Sequence, residues 1–138
     1  MKIYLKLIAK IGQLVARHAI PANLSNKKSV LKADTILKLD KWIREKRWAE
    51  DLTMQEIADD LQISREDLSL FFRIQTGKNF LKWRKERRIE EAKKLLLEDR
   101  DIPTLIIGEA VGICDKSNFR RQFKEITGCT PAEWRLKH

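Results

Sequence analysis

The stretch "SNFRRQFKEITGCTPAEWR" (Ser117–Arg135) has a counterpart 51 positions earlier, "EDLSLFFRIQTGKNFLKWR" (Glu66–Arg84). The pairs at this offset are Leu68 with Phe119, Phe72 with Phe123, Thr76 with Thr127, Gly77 with Gly128, Trp83 with Trp134, and Arg84 with Arg135. Further upstream the offset is 50, and it pairs Ile57 with Ile107, Leu61 with Val111, and Ile63 with Ile113. The second copy therefore carries one additional residue in its turn. The agreement predicts a genuine duplication of one structural unit.

Local signals predict where the helices begin and end. "TMQE" (53–56) is a capping box that opens a short helix, Ser64 caps the next helix, and Gly77 stops that helix in the left-handed conformation. In the second copy we expect Thr104 to cap a short helix that reaches Val111, and a helix over Ser117–Thr127 that Gly128 stops. "TPAE" (130–133) supplies a cap, a proline at the first helical position and a glutamate for a last helix.

The remaining segments are also predicted to be helical. An amphipathic helix runs from about Ile3 to Ala19, and "PANLSNKKSV" (21–30) is typical of a linker. Asp34 is expected to cap a helix that places Ile36, Leu39 and Ile43 on one face. The longest helix covers about residues 79–98, and no alternation typical of a strand is found.

These patterns predict an all-α fold with two helix-turn-helix subdomains joined by a long linker helix, which is a duplicated, homeodomain-like arrangement. The expected organisation is a basic amphipathic helix and linker over residues 1–33, followed by one domain over residues 34–138. Within that domain we expect the first helix-turn-helix at 53–76, the linker helix at 79–98 and the second helix-turn-helix at 104–127.

Charge points to a polyanionic partner. The 138-residue chain has a formal net charge of +9. Its first 35 residues hold seven Lys or Arg and one Asp, so they supply +6 and leave only +3 for the rest. Nucleic acid is the first candidate and acidic lipid the second. DNA binding by the main part of the chain therefore has to come from local clusters of cations.

Other classes of function find little support. The two cysteines, Cys114 and Cys129, and the two histidines, His18 and His138, are too dispersed to form a zinc ligand set, so no metal or cofactor is expected. No catalytic triad or glycine-rich phosphate loop is present, which argues against an enzyme. No apolar run approaches the ~18 residues that span a bilayer, and no signal peptide is evident. We expect a cytoplasmic protein without a membrane partner.

Each repeated unit, a short helix, a tight turn and a longer helix, predicts helix-turn-helix geometry, in which the second helix enters the DNA major groove. The apolar positions of the repeat are then core residues. The exposed face of each second helix is the candidate DNA-reading surface, because Arg and Lys donate to guanine or phosphate and Asn pairs with adenine. The candidate residues are Arg65, Glu66, Ser69 and Arg73 in the first copy, and Lys116, Ser117, Asn118, Arg120, Arg121 and Lys124 in the second.

The spacer helix suggests how double-stranded DNA is read. About 20 helical residues span roughly 30 Å, a little less than the ~34 Å between successive major-groove faces. One chain is therefore expected to read two adjacent groove segments, and a shortfall in reach would be met by bending the DNA, at a cost of about 1 to 6 kcal/mol.

The sequence resembles the DNA-binding domain of the AraC/XylS family of bacterial transcription regulators over roughly residues 36–137. The resemblance rests on "GICDKSNFRRQFKEITGCTPAEWR" (112–135), on "RIEEAKKLL" (88–96) and on "IADDLQIS" (57–64). It departs from the family pattern at Ile113, Gly108 and Leu70. By matching position it implies base-reading roles for Arg65, Glu66, Ser69, Lys116, Ser117, Arg120 and Arg121. It also implies transcriptional activation by recruitment of RNA polymerase, and a separate sensor or dimerisation domain that the residues before Asp34 are too few to form.

Two alternatives stay open at this point. A helical adaptor could use the same cores and direct its exposed cations to an acidic protein rather than to DNA. The N-terminal amphipathic helix could dock on the domain, belong to a missing neighbouring domain, dimerise, or touch lipid or DNA phosphate.

Overall fold

The computed structural model describes residues 31–138, and the helix predicted over Ile3–Ala19 lies outside them. Within the described part the chain forms seven α-helices and one 3₁₀ turn, with no strand. The helices are α1 (Ala33–Arg44), α2 (Met54–Leu61), α3 (Arg65–Thr76), α4 (Phe80–Glu98), α5 (Thr104–Ala110), α6 (Lys116–Thr127) and α7 (Pro131–Lys137), and the 3₁₀ turn covers Arg47–Ala49. The all-α prediction is confirmed. Contacts divide these residues into a first unit (31–45 and 53–80) and a second unit (46–52 and 81–138).

The core of the first unit is aromatic. Phe72 is fully buried, and its ring lies 4.9 Å from that of Phe80, 5.2 Å from that of Phe71 and 6.3 Å from that of Trp42, measured between centroids. Edge and tilted contacts of this kind stabilise beyond the apolar area they bury. Leu39, Ile57 and Leu68 complete the core, which therefore fastens the α2–α3 pair to α1.

The second unit packs α5 and α6 on the linker helix α4. Its buried cluster consists of Ile89, Ala92, Leu96, Ile107, Val111, Ile113, Phe119 and Phe123. The ring of Phe123 meets Phe119 and Trp134 edge-on, at centroid distances of 5.9 and 6.1 Å. Gly108, where the resemblance leads one to expect alanine, is required by close packing, because a Cβ there would lie 2.9 Å from both Ile113 O and Phe119 Cγ.

Most predicted helix ends are confirmed. Thr53 and Glu56 form the reciprocal capping box, Ser64 Oγ accepts from the Asp67 amide at 3.0 Å, and Thr130 caps α7 with Pro131 at its first turn. Gly77 and Gly128 end α3 and α6 at φ values of 72° and 87°. These devices involve neighbours in sequence only, which explains why the sequence reveals them.

Three predicted helix starts are displaced by one or two residues. The N-cap of α1 is Lys32 rather than Asp34. Asp34 lies in the first turn, where the helix dipole stabilises its negative charge and where it pairs with Lys38 at 3.2 Å. The N-cap of α5 is Pro103 rather than Thr104, because the Pro103 carbonyl accepts from the amide of Ile106 at 3.0 Å. α6 begins at Lys116, one residue ahead of Ser117.

Candidate nucleic-acid interface

The second helix of the first helix-turn-helix motif, α3, presents a face of mixed charge. Arg65, Glu66 and Arg73 are exposed, whereas Ser69 is half-buried. Two arginines in α3 balance Glu66 and Asp67, so this helix has no net charge. The two acids suit the N-terminal end of the helix dipole but oppose a phosphate backbone.

The equivalent helix of the second motif, α6, presents a strongly cationic face. The buried side chains of Phe119 and Phe123, four residues apart, turn the opposite side of α6 to solvent. All six candidate residues on α6 are exposed: Lys116, Ser117, Asn118, Arg120, Arg121 and Lys124. Four cations against Glu125 give the helix a net charge of +3. α6 therefore brings together the donors that a guanine edge or a phosphate requires.

The turn before each second helix has the same backbone in both copies. Gln62 and Gly112, related by the offset of 50, are both left-handed, with φ values of 55° and 88°. The next residue closes the turn in each copy: the Ile63 amide donates to Ala58 O at 3.0 Å, and the Ile113 amide donates to Gly108 O at 2.8 Å. The additional residue of the second copy therefore falls after this bond and before the α6 cap. This hydrogen bond therefore fixes the direction of the second helix of each motif relative to the first helix of the same motif.

Two hydrogen bonds involve exposed side chains of α6, those of Arg121 and Glu125. Arg121 Nη2 donates to Asn118 Oδ1 at 2.7 Å. Glu125, one turn further on, accepts a hydrogen bond from Lys85 Nζ of α4. This bond, then the charge of Lys85 and more weakly that of Arg121, lowers the pKa of Glu125, so the carboxylate is ionised at neutral pH.

Arginines that support the motifs were not singled out from the sequence. Arg88 donates to Trp48 O at 2.8 Å and to Glu50 O at 2.7 Å, and Arg84, one turn earlier on α4, donates to Leu52 O. Burial, followed by the charge of Arg84, lowers the pKa of Arg88 to about 10, so it stays protonated at neutral pH. α4 thereby binds three alternate carbonyls of the segment that precedes α2.

The matched arginine of the second copy acts in the same way. Arg135 Nε donates to Leu96 O at 3.1 Å, and its Nη2 donates to Asp99 O at 3.3 Å, so it binds carbonyls at the C-terminal end of α4, ahead of α5. The duplicated Trp-Arg pair was the available signal for Arg84 and Arg135. Arg88 opens the stretch "RIEEAKKLL" on which the resemblance rests, but its role could not be predicted, because its partners are backbone carbonyls about 40 positions away.

Asp115→Ala should reduce the stability of the second unit by about 1 kcal/mol, because Asp115 Oδ1 accepts from the Asn118 amide at 2.7 Å and caps α6. Urea denaturation followed by circular dichroism measures the loss. Asp115→Ser, which keeps a capping oxygen, should recover most of it. Equal losses in the two variants would show that the cap contributes nothing.

In residues 31–138, no helix is long and apolar enough to cross a membrane. The same part of the chain contains no group of three or more His, Cys, Asp or Glu side chains placed to hold a metal ion.

Comparison with known proteins identifies a matching family and similar regulators. A family profile described as a helix-turn-helix domain matches residues 57–137. The arabinose operon regulatory proteins of Salmonella typhimurium and Escherichia coli are each 40% identical over 79 residues. These matches cover 57% of this chain but only 28% and 27% of the two regulators, so the chain spans about a quarter of the length of these relatives.

Solved structures show the same fold. The C-terminal domain of AraT, a response regulator from Geobacillus stearothermophilus, is 27% identical with a TM-score of 0.67, covering 80% of this chain and 89% of that one. The DNA-binding domain of AdpA, solved in complex with a target DNA, has a TM-score of 0.64 over 73% of this chain and 88% of its own; at 22% identity this likeness concerns the fold alone.

Proposed function

Since the chain belongs to the AraC/XylS family of helix-turn-helix transcription regulators, we propose that it binds double-stranded DNA in a sequence-specific manner through α3 and α6. The observation that carries the proposal is the exposed surface of α6, where four cations and Asn118 are all accessible while Phe119 and Phe123 are buried. Arg121 and Lys124 lie on the side opposite the two rings. A recognition helix presents such a face to base edges and phosphates.

The two motifs are proposed to contribute unequally. α6, with a net charge of +3, supplies most of the phosphate and base contacts. α3, with no net charge, contributes little to the affinity and adds to the sequence specificity. Each motif takes one major-groove segment, and two readers in one chain call for an asymmetric operator with two blocks about one helical turn, ~34 Å, apart. A palindromic site and a dimer are then unnecessary.

The regulatory role extends the same proposal. Among the relatives is the RCS-specific HTH-type transcriptional activator RclR of Escherichia coli, which is 29% identical over 83 residues and of which this chain covers 29%. By analogy the protein acts as an activator that recruits RNA polymerase in the cytoplasm. By the same analogy a separate sensor or dimerisation domain, larger than the residues before Asp34 can form, would accompany the DNA-binding domain. The domain organisation predicted from the sequence, with motifs at 53–76 and 104–127, belongs to this proposal.

The experiment that tests DNA recognition is selection of bound duplexes from a random library, followed by titration of the selected duplex across a range of salt. The expected result is an asymmetric motif with two blocks, and a log-log salt slope that rises by about 0.9 for each phosphate contacted. Weak binding without an enriched sequence would contradict the proposal and favour the adaptor function.

Arg121→Ala or Lys116→Ala should weaken binding to the selected duplex by about 1 to 3 kcal/mol if, as proposed, each exposed side chain donates to a base. Fluorescence anisotropy on selected and random duplexes measures the difference. The matched control is Lys94→Ala, which removes an exposed cation of α4 outside the interface. Equal losses on both duplexes would assign the residue to a phosphate contact.

A further inference from the structure

We propose that Lys85 and Asn118 are positioning residues that hold Arg121 in the orientation in which it reads a base. The proposal rests on the DNA-binding function above and adds specificity-determining residues to it. DNA binding by the exposed cations of α6 would not by itself require that Lys85 and Asn118 orient Arg121.

Arg121 has two competing partners on its own helix. Asn118 lies three residues earlier and Glu125 four residues later, and both spacings place side chains next to each other on an α-helix. The guanidinium of Arg121 is hydrogen-bonded to Asn118 Oδ1. It is thus turned toward the N-terminal end of α6, the end that a recognition helix directs at base edges.

Lys85 decides this competition. A carboxylate four residues after an arginine is an attractive ion-pair partner, and pairing would draw Arg121 toward the C-terminal end of α6. Here Lys85 Nζ donates to Glu125 Oε2, and its charge weakens the attraction of the carboxylate for Arg121, which bonds to Asn118. α4 therefore contributes to reading by neutralising the acid that would otherwise withdraw the reading arginine.

Asn118 is suited to its part because its own position is fixed. Its backbone amide donates to the capping carboxylate of Asp115, which places it in the first turn of α6. Its Oδ1 takes one of the five N–H donors of Arg121 and leaves enough for a bidentate contact with guanine O6 and N7. The Asn118 Nδ2 group can donate to an acceptor on the neighbouring base. The pair would then read two successive bases.

The duplication shows that this network is not needed for folding. At the offset of 51, the counterparts of Asn118, Arg121 and Glu125 are Asp67, Leu70 and Ile74. The first copy has the same short helix, turn and long helix without any of the three side chains. The network is therefore an addition to the second reader alone.

The test uses four variants of the full chain: Lys85→Gln, Glu125→Gln, the double variant with both changes, and Lys94→Gln as a control that removes one exposed cation from the same helix. Each is titrated against the selected duplex and a random duplex, after circular dichroism melting has verified that it folds. We expect Lys85→Gln to lose about fivefold on the selected duplex beyond the loss shown by Lys94→Gln. Measured against Glu125→Gln alone, the double variant should show little further loss, because the competing acid is already gone.

Comparing the Lys85→Gln loss with and without Glu125 separates positioning from direct contact. If Lys85 bound phosphate itself, Lys85→Gln would cost as much in the Glu125→Gln background as in the unaltered protein, and the loss would appear equally on random duplex; either result would overturn the inference. Asn118→Ala should relax the base preference at the position where Arg121→Ala relaxes it, and an unchanged preference would also overturn the inference. Failure of the DNA-binding proposal looks different, since the unaltered protein would then select no sequence at all.

Discussion

Gly112→Ala is expected to lower the free energy of unfolding by about 3 to 4 kcal/mol, since two costs combine at this position. Gly112 has a φ of +88°, which L-residues with a side chain rarely adopt. A Cβ there would also lie 2.4 Å from Ala49 O and 2.9 Å from Arg88 Nη2. Backbone cannot yield as a flexible side chain does, so the methyl group would push apart the turn of the second motif and the segment that Arg88 binds.

The matched control is Gly128→Ala. Gly128 has nearly the same φ, +87°, but nothing lies within 4 Å of an added Cβ. It should lose only the conformational part, about 1 to 2 kcal/mol. Urea denaturation of both variants gives the difference, which isolates the close approach to Ala49. Similar losses of unfolding free energy in Gly112→Ala and Gly128→Ala would mean that the turn around Gly112 moves away from Ala49 without cost.

Phe123→Ala is expected to destabilise the protein by about 3 to 5 kcal/mol, because it removes a fully buried ring and leaves a cavity. Phe119 and Trp134, whose rings meet Phe123 edge-on, would lose their partner at the centre of the second core. Thermal and urea unfolding, followed by circular dichroism, measure the effect.

Phe123→Leu provides the control for Phe123→Ala, since it keeps most of the apolar volume and should cost less than about 1.5 kcal/mol. Ile126→Ala, at a half-buried position against the same core, should also cost less than Phe123→Ala. A loss from Phe123→Ala no larger than that from Ile126→Ala would contradict the arrangement of the core.

The parts of the fold that depend on near neighbours could be predicted from the sequence. Thr53, Ser64, Gly77 and Gly128 each act on residues within one turn, so their types and spacing indicate helix ends directly. The cap of α1 was predicted wrongly at Asp34, because an acidic residue is favoured in the first turn of a helix as well as at its N-cap. The exposed side of α6 was likewise predictable, since two phenylalanines four residues apart fix the buried side.

Long-range partners could not be predicted. The duplication treats Leu61 and Ile63 as equivalents of Val111 and Ile113, yet the first pair is half-buried and the second is buried. Burial depends on which other segments pack against each turn, and the repeated sequence does not predict those segments. The bonds from Arg88 to backbone carbonyls and the pairing of Lys85 with Glu125 also join residues about 40 positions apart. The DNA-reading roles of the α3 and α6 side chains stay predictions.

Matching start and stop signals make α3 and α6 exchangeable segments, or cassettes, of equal length. The stretch from the capping side chain to the left-handed glycine runs from Ser64 to Gly77 in one copy and from Asp115 to Gly128 in the other, at a constant offset of 51. The unequal turns lie outside these limits, so transplanting one cassette into the place of the other preserves both ends without an insertion or deletion. With each helix reading one block as proposed, a gene carrying two such cassettes can change one while the other keeps its target, and the recognised sequence can then evolve one half at a time.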